Sequence, residues 1–197
     1  MLVLASKSNA RQEMLNSAGI TFETAASNVD EDALKIDLKA KGVSAGDLAG
    51  ALAEAKALDV SKSSDGQMIL GGDQVLELEN GDLLDKPADK DDAKAHLLRM
   101  SGGKHKLYSA AAMAQRNSVI WRHIDIATMG MRELSEDFID QYVEDEWDNI
   151  QHCVGCYEIE GKGMQLFSNI NGSHFTIMGL PLLPLLEFLR TRGVMSS

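Results

Sequence analysis

The first eleven residues contain several side chains that could bind an anion. An apolar run, Leu2 to Ala5, is followed by Ser6 and Ser8, and Arg11 lies in the first turn of a predicted helix. This order predicts a strand, a tight polar turn and a helix N-terminus capped by Ser8. The first N–H groups of a helix have no partner within it and carry the positive end of its dipole, so such a turn suits a phosphate. A capped helix start with a solvated arginine is the alternative interpretation.

Two carboxylates stand where they could serve a metal ion. Asp73 directly follows a predicted buried strand, 68–70, and two glycines that allow the backbone to pass close to a ligand. Ligands of open α/β sheets gather at the carboxyl ends of strands, which favours Asp73 as a site residue. Glu31 lies in an acidic corner and could add a second hard oxygen ligand for Mg²⁺ or Mn²⁺. An ordinary loop role remains the alternative for each.

Two lysines complete the set of candidate charges. Lys56 lies beside the apolar face of a helix predicted over 47–58, and Lys86 precedes Pro87, which makes the lysine backbone extended. For Lys86 taken in isolation, a solvated surface position is the favoured alternative.

Composition restricts the class of protein. The chain has 197 residues with 44% hydrophobic content, enough for one well-buried core, and a net charge of −11. That charge argues against polymeric nucleic acid or an anionic membrane as a partner. No transmembrane run or secretory leader is apparent, and two cysteines fit a reducing cytoplasm.

Cys153 and Cys156 form a CxxC, but no second pair completes a zinc site, so we interpret the motif as coincidental.

The remaining pattern predicts an alternating α/β chain forming one domain, 1–197. Asn80–Gly81 between two short apolar runs predicts a hairpin. Further helices are predicted over 89–100, from Ser135 to Glu144 and over 182–192, and further strands over 20–25, 106–114, 119–131 and in the last part before the final helix.

Ordered blocks along the chain resemble the Maf family of nucleoside triphosphate pyrophosphatases. The blocks are Leu4-Ala5-Ser6-x-Ser8-x-x-Arg11-x-Glu13-x-Leu15, Val29-Asp30-Glu31, Leu52-Ala53-x-x-Lys56-Ala57, Gly72-Asp73-Gln74-Val75, Lys86-Pro87, Leu98-x-x-Met100-Ser101-Gly102 and Gly179-Leu180-Pro181. The resemblance implies an inosine-triphosphate-pyrophosphatase-like α/β fold, with a mixed twisted sheet and helices in two lobes around a cleft. It also implies cleavage of a nucleoside triphosphate to monophosphate and pyrophosphate with a divalent cation, Mg²⁺, Mn²⁺ or Co²⁺.

The resemblance assigns roles to individual residues. Asp73 matches the family's catalytic proton acceptor, and Ser8 and Arg11 match its phosphate-binding turn. Glu31, Lys56 and Lys86 match charged residues that line the cleft. We therefore expect substrate binding by Ser6, Ser8, Arg11, Lys56 and Lys86, and expect the carboxylates of Asp73 and Glu31 to be the metal ligands. A homodimer is compatible with the family, and arrest of septum formation through a protein partner is an alternative function.

Three positions depart from the commonest family pattern and bear on the base. Ala10 replaces an arginine, Gln74 a threonine, and Glu160 a glutamine. Together they resemble the branch that acts on 7-methyl-GTP rather than the branch that acts on dTTP and UTP. A carboxylate can accept from the adjacent N–H and NH₂ of a guanine edge, which favours Glu160 as a base reader, and the Gln74 NH₂ could donate to the guanine carbonyl. A surface position is the alternative for Glu160.

Overall fold

A computed structural model describes residues 1–195 as a mixed α/β protein. The strands are β1 (Leu2–Leu4), β2 (Phe22–Thr24), β3 (Met68–Leu78), β4 (Leu83–Leu84), β5 (Lys104–Gln115), β6 (Ser118–Met131) and β7 (Phe167–Asn171). The helices are α1 (Asn9–Ser17), α2 (Glu31–Ala40), α3 (Ala45–Ser61), α4 (Lys90–Met100), α5 (Glu136–Ile150), α6 (His174–Ile177) and α7 (Leu182–Thr191), and a 3₁₀ turn covers Lys162–Leu166. The predicted α/β class is confirmed.

One sheet contains all seven strands. Its order is β2-β1-β3-β5-β6-β7, with β4 paired to β3. β1 runs parallel to both β2 and β3, whereas β3–β4 and β6–β7 are antiparallel, so the sheet is mixed as predicted. The register Leu4↔Leu70 aligns the end of β1 with the strand that leads to Asp73.

The chain divides into two compact units. Unit 1 comprises Met1–Gln74, Ser109–Asp125 and the segment from His174 onward; unit 2 comprises Val75–Tyr108 and Ile126–Ser173. Unit 1 has a core that joins the start of the sheet to α1 and α7, through side chains such as Leu4, Leu15 and Leu185. In unit 2, α4 packs on α5 and buries Leu97 and Val143. The prediction of a single domain over 1–197 stays a prediction, and residues 196–197 lie outside the described part.

Most predicted elements occur within a few residues of their expected bounds. Ser8 caps α1, Ser135 caps α5, and the Asn80–Gly81 turn joins β3 to β4 with Gly81 at φ +86°. The turn at Arg116 and Asn117 has positive φ at both residues, as a tight hairpin turn requires.

Three regions differ from the sequence-based expectation. The strand that was predicted to end before Asp73 continues to Leu78. Gly71 lies within it because the strand packs closely on α3, where a β-carbon would meet the Ala53 carbonyl oxygen. The acidic corner at 30–32 begins a full helix, α2, capped by Asp30, whose Oδ1 accepts from the Ala33 N–H at 2.9 Å. Residues 153–161 form turns rather than strand.

Candidate functional site

The predicted phosphate turn has the expected local geometry. The Ser8 hydroxyl oxygen accepts from the Arg11 N–H at 3.4 Å, and the first backbone bond of α1 runs from the Gln12 N–H to the Ser8 carbonyl at 3.2 Å. The N–H groups of Asn9 and Ala10 therefore precede the intrahelical bonds and point out of the helix end. Lys7 is exposed, as an outward-pointing turn residue should be. This geometry is the one expected for the predicted anion site, which stays a prediction.

Arg11 is buried and held in place by two neighbours. Its Nε–H donates to the Gly179 carbonyl at 2.8 Å and its Nη1–H donates to the Ser6 hydroxyl at 3.1 Å. Within the described residues, Arg11 Nη2 makes no hydrogen bond. It is not among the buried side-chain atoms that lack a partner, a class that contains only His105 Nδ1 in this part of the chain, so Nη2 is accessible to solvent. Arg11 thus keeps donors available for a ligand while the rest of its fork is fixed.

Lys56 joins two carboxylates. Its Nζ lies 2.7 Å from Asp73 Oδ1 and 2.8 Å from Glu31 Oε2. The side chains of Lys56 and Asp73 are each 11% exposed, whereas that of Glu31 is 43% exposed. The sequence placed these three residues on separate elements, and the structure brings them into one ion-pair cluster.

Arg11 belongs to the same electrostatic environment. Burial lowers the pKa of the Arg11 guanidinium, and the negative charges of Asp73 and then Glu31 oppose that shift. Two cations and two anions therefore compensate one another at this end of unit 1. A triphosphate added here would bring excess negative charge that these residues alone do not neutralise.

The alternation of β3 separates the site into two layers. Successive residues of a strand point to opposite faces. A β-carbon at Gly71 would meet α3, and Asp73, two residues on, pairs with Lys56 of that helix. A β-carbon at Gly72 would instead lie 3.1 Å from Arg11 Nε. The acid–lysine pair and the arginine thus lie on opposite faces of one strand.

Gln74 points to the same face as Gly72. Its Nε2 donates to the Ser109 hydroxyl at 2.9 Å and to the carbonyls of Thr176 and Ile177, both at 3.0 Å. This amide nitrogen is already committed to the protein. The predicted donation from the Gln74 NH₂ to a guanine carbonyl stays a prediction, and it would require these hydrogen bonds within unit 1 to rearrange.

Lys86 and Glu160 lie in unit 2. Both side chains are exposed, and Glu160 lies in a turn rather than in a strand. Both act on the Cys153 thiol: burial raises its pKa to about 12, and the Glu158 and Glu160 charges add to that shift while the Lys86 charge opposes it. The charges of Lys86 and Glu160 therefore both lie near Cys153.

The two cysteines of the CxxC motif lie in surroundings that disfavour a thiolate. Cys153 and Cys156 are free thiols, and burial raises the pKa of each to about 12, which disfavours the reactive thiolate. Within residues 1–195, no group of three or more His, Cys, Asp or Glu side chains could hold a metal ion.

Sequence reasoning missed one contact that supports Arg11 and one that supports Gln74. Gly179 supplies the acceptor for Nε, and Thr176, which is fully buried, supplies a carbonyl to Gln74. The glycine before Leu180-Pro181 was visible as part of a motif. Its contact with a residue 168 positions earlier could not be inferred from local pattern.

Comparison with known proteins decides the family. The Maf-like protein family matches residues 1–192. The chain belongs to the Maf family. Nucleoside triphosphate pyrophosphatases of Sphingopyxis alaskensis and Caulobacter vibrioides are 46% and 45% identical to this Maf protein, with alignments that cover 98% and 99% of the chain and 98% and 97% of those proteins.

One further relative is named for a single substrate. The 7-methyl-GTP pyrophosphatase of Brucella abortus is 46% identical over 96% of the chain and 94% of its own length.

Among solved structures, a HAM1 protein from Coxiella burnetii aligns with 97% of the chain at a TM-score of 0.48 and 15% identity. No helix within residues 1–195 is long and apolar enough to cross a membrane.

Proposed function

We propose that this Maf protein hydrolyses nucleoside triphosphates to the monophosphate and pyrophosphate, with Asp73 as the base and Arg11 as a phosphate ligand. The observation that carries this proposal is the buried Lys56–Asp73 pair, at 2.7 Å, in the same electrostatic environment as an arginine that keeps accessible donors. The full-length similarity to nucleoside triphosphate pyrophosphatases supports the reaction class.

In the proposed reaction, water attacks the α-phosphorus and the bond from that phosphorus to the oxygen bridging to the β-phosphorus breaks. Asp73 accepts the proton of the attacking water, and the electron pair of the broken bond leaves with pyrophosphate. The Lys56 ammonium, 2.7 Å from Asp73 Oδ1, holds the carboxylate in place for that transfer. Arg11 and the N–H groups at the start of α1 bind the phosphate oxygens on which charge accumulates. Ser6 and Ser8 fix the turn and the Arg11 fork, and the family resemblance supports Lys86 as a further phosphate ligand.

A divalent cation fits this set of residues. Mg²⁺ commonly takes one or two protein carboxylates and completes its shell with substrate phosphates and water. Asp73 and Glu31 supply two carboxylates that converge on one ammonium, and no third protein ligand joins them within the described residues. When bound, the cation would supply the positive charge that a triphosphate needs and that the balanced charges of Arg11 and Lys56 do not. We therefore infer that the cation arrives with the nucleotide.

For the base, we propose 7-methyl-GTP as the preferred substrate. The support is the combination of Ala10, Gln74 and Glu160, together with relatives of that name at 46% identity. Glu160 is an exposed carboxylate that could accept from two adjacent donors of a guanine edge. Because the Gln74 nitrogen is engaged elsewhere, Glu160 carries the proposed base recognition.

The test is pyrophosphate release from purified protein with 7-methyl-GTP, GTP, UTP and dTTP, each with Mg²⁺, Mn²⁺ and Co²⁺. We expect the highest kcat/KM with 7-methyl-GTP. A preference for UTP or dTTP would assign the chain to the other branch, and release of orthophosphate instead of pyrophosphate would contradict the proposed reaction.

Glu160→Gln tests the base reader directly. Where a base edge is read by two hydrogen bonds, a mispaired base commonly costs about 1–3 kcal/mol. The ratio of kcat/KM for 7-methyl-GTP to that for UTP should therefore fall by about tenfold or more. Glu158→Gln is the matched control, since Glu158 is also exposed and also acts on Cys153. An unchanged ratio in Glu160→Gln would remove Glu160 from base recognition.

A further inference from the structure

We infer that Gln74 is a positioning residue: it sets the Arg11 guanidinium by clamping the 176–179 segment with its amide nitrogen. The expected effect on kinetics rests on the proposed function. The contacts from which the inference is argued all lie within unit 1.

The orientation of the Gln74 amide follows from its surroundings. The carbonyls of Thr176 and Ile177 only accept hydrogen bonds, so the group that faces both of them at 3.0 Å must be the NH₂. Ser109 strengthens this arrangement, because its hydroxyl donates to the same Thr176 carbonyl at 2.6 Å. Ser109 and Thr176 are both fully buried. The clamp therefore joins β3 and β5 to the end of α6 through groups that water does not reach.

A short chain of hydrogen bonds connects this clamp to Arg11. The Thr176 carbonyl also accepts from the Gly179 N–H at 3.1 Å. The Gly179 carbonyl in turn accepts from Arg11 Nε at 2.8 Å. Gly179 has φ +98°, a conformation that favours glycine, and a β-carbon there would lie 3.3 Å from Arg11 Nη2. The segment is thus fixed at Thr176 by Gln74 and contacts the arginine at Gly179.

The clamp also sits close to the reacting carboxylate in sequence. Gln74 follows Asp73 on β3, so their side chains leave opposite faces of one strand. Asp73 faces Lys56, whereas Gln74 faces the segment that supports Arg11. One dipeptide therefore positions the proposed base on one face and the proposed phosphate ligand on the other.

Two roles for Gln74 give different results with a ligand that has no base. If Gln74 positions Arg11, its loss weakens binding of the phosphate chain and affects every nucleotide alike. If Gln74 reads the base, its loss changes the ranking of nucleotides and leaves binding of inorganic triphosphate unchanged. Small displacements of a positioning group can cost about 10²-fold in rate, so a weakening of about tenfold is a modest expectation.

The experiment compares Gln74→Met, which keeps the length and loses both donors, with Gln74→Asn, which keeps the amide but is one methylene shorter. Gln115→Met is the matched control, because Gln115 Nε2 also donates to a backbone carbonyl of unit 1, that of Gly66 at 2.8 Å. Calorimetry measures the affinity for inorganic triphosphate with Mg²⁺, and hydrogen exchange measures protection of the Gly179 amide.

We expect both Gln74 variants to bind inorganic triphosphate about tenfold more weakly, and to lose protection at Gly179. Gln115→Met should match the wild type. In an Arg11→Ala background, Gln74→Met should add little further loss, because the positioned group is gone. The kcat/KM values for 7-methyl-GTP, GTP and UTP should fall together.

Unchanged triphosphate affinity combined with an altered ranking of nucleotides would overturn the inference. Equal losses from Gln74→Met with and without Arg11 would also overturn it, since the effect would then bypass the arginine. If the wild type released no pyrophosphate, the proposed function would fail, while the triphosphate and exchange measurements would still decide the role of Gln74. If Gln74→Met did not fold, Gln74→Asn would decide the same comparison.

Discussion

The Arg11 guanidinium rests against the α-carbon of Gly72. A β-carbon at position 72 would lie 3.1 Å from Arg11 Nε and 3.3 Å from its Cδ. A β-carbon at Gly179 would likewise lie 3.3 Å from Arg11 Nη2. Two glycines thus leave the space that the buried arginine occupies, and its hydrogen bonds to Ser6 and Gly179 prevent it from moving aside freely.

Gly72→Ala should therefore lower both stability and activity. Inserting one methyl group into a closely packed interior typically costs about 1–3 kcal/mol, and the displaced Arg11 should raise KM. Urea unfolding and steady-state kinetics measure the two effects. Gly103→Ala is the control, because a β-carbon there would make only ordinary contacts, at 3.6 Å. Wild-type kinetics in Gly72→Ala would show that Arg11 has room to adjust.

Asp73→Asn should abolish most turnover while the protein stays folded. The change is nearly isosteric and removes the proton acceptor, a loss typically of about 10²–10⁴-fold in rate. Lys56 retains Glu31 as a partner, so its ammonium is not left without a counter-ion. Pyrophosphate release gives the rate, and circular dichroism with thermal melting checks the fold. A folded Asp73→Asn protein with near-normal turnover would rule out the proposed role of Asp73.

Arg11→Ala should impair the enzyme much more than Lys7→Ala. Arg11 is buried with accessible donors, whereas Lys7 is exposed between the two serines. A hydrogen bond to a charged group contributes about 1.5–3 kcal/mol, which corresponds to a loss in kcat/KM of tenfold or more. The affinity for inorganic triphosphate should fall in parallel. Small, equal effects from both substitutions would show that the turn is only a capped helix start and not a phosphate site.

The stability of the protein should depend on His105 below neutral pH. Burial lowers the pKa of His105 from 6.5 to about 4, with its Nε2 at 2.8 Å from the Tyr157 hydroxyl. Between these pKa values the unfolded chain binds a proton that the folded chain does not. Stability is therefore lost as the pH falls from 6.5 towards 4, by up to about 3 kcal/mol.

Urea unfolding across that pH range measures the effect. His105→Gln should flatten the dependence of the unfolding free energy on pH, whatever it does to stability at pH 7. His152→Gln is the control, since His152 is an exposed histidine of the same unit. Identical slopes for His105→Gln and the wild type would show that His105 does not carry this proton linkage.

Local pattern predicted most of the elements because their signals are local. The caps at Ser8 and Ser135 and the Asn80–Gly81 turn depend only on neighbouring residues, and all three occur as predicted. Gly71 and Gly72 were interpreted as the end of a strand. In the structure they lie within β3, where one contacts α3 and the other Arg11, and those contacts involve residues far away in sequence.

In the candidate site too, the residue types could be predicted from the sequence, whereas their contacts could not. Composition and motif order identified the charged residues, but not that Lys56 would join Asp73 to Glu31. Gln74 shows the limit most clearly: its donor capacity suited a guanine carbonyl in sequence, and two backbone carbonyls from the far end of the chain occupy it in the structure. Hydrogen-bond commitments of that kind depend on tertiary contacts, which one sequence does not reveal.

Helix α2 carries Glu31 and yet buries none of its ten residues. Opening free energies of local segments follow their buried contacts, so we expect α2 to open more easily than the buried strand β3. Asp73, on a buried strand, is available at all times, whereas Glu31 is available only while α2 is folded. The affinity of the carboxylate pair for any cation is reduced by the fraction of molecules in which α2 is open. If the proposed carboxylate pair binds a cation, its affinity would therefore report the folding of α2, and substitutions on the solvent side of α2 would change that affinity without touching the site.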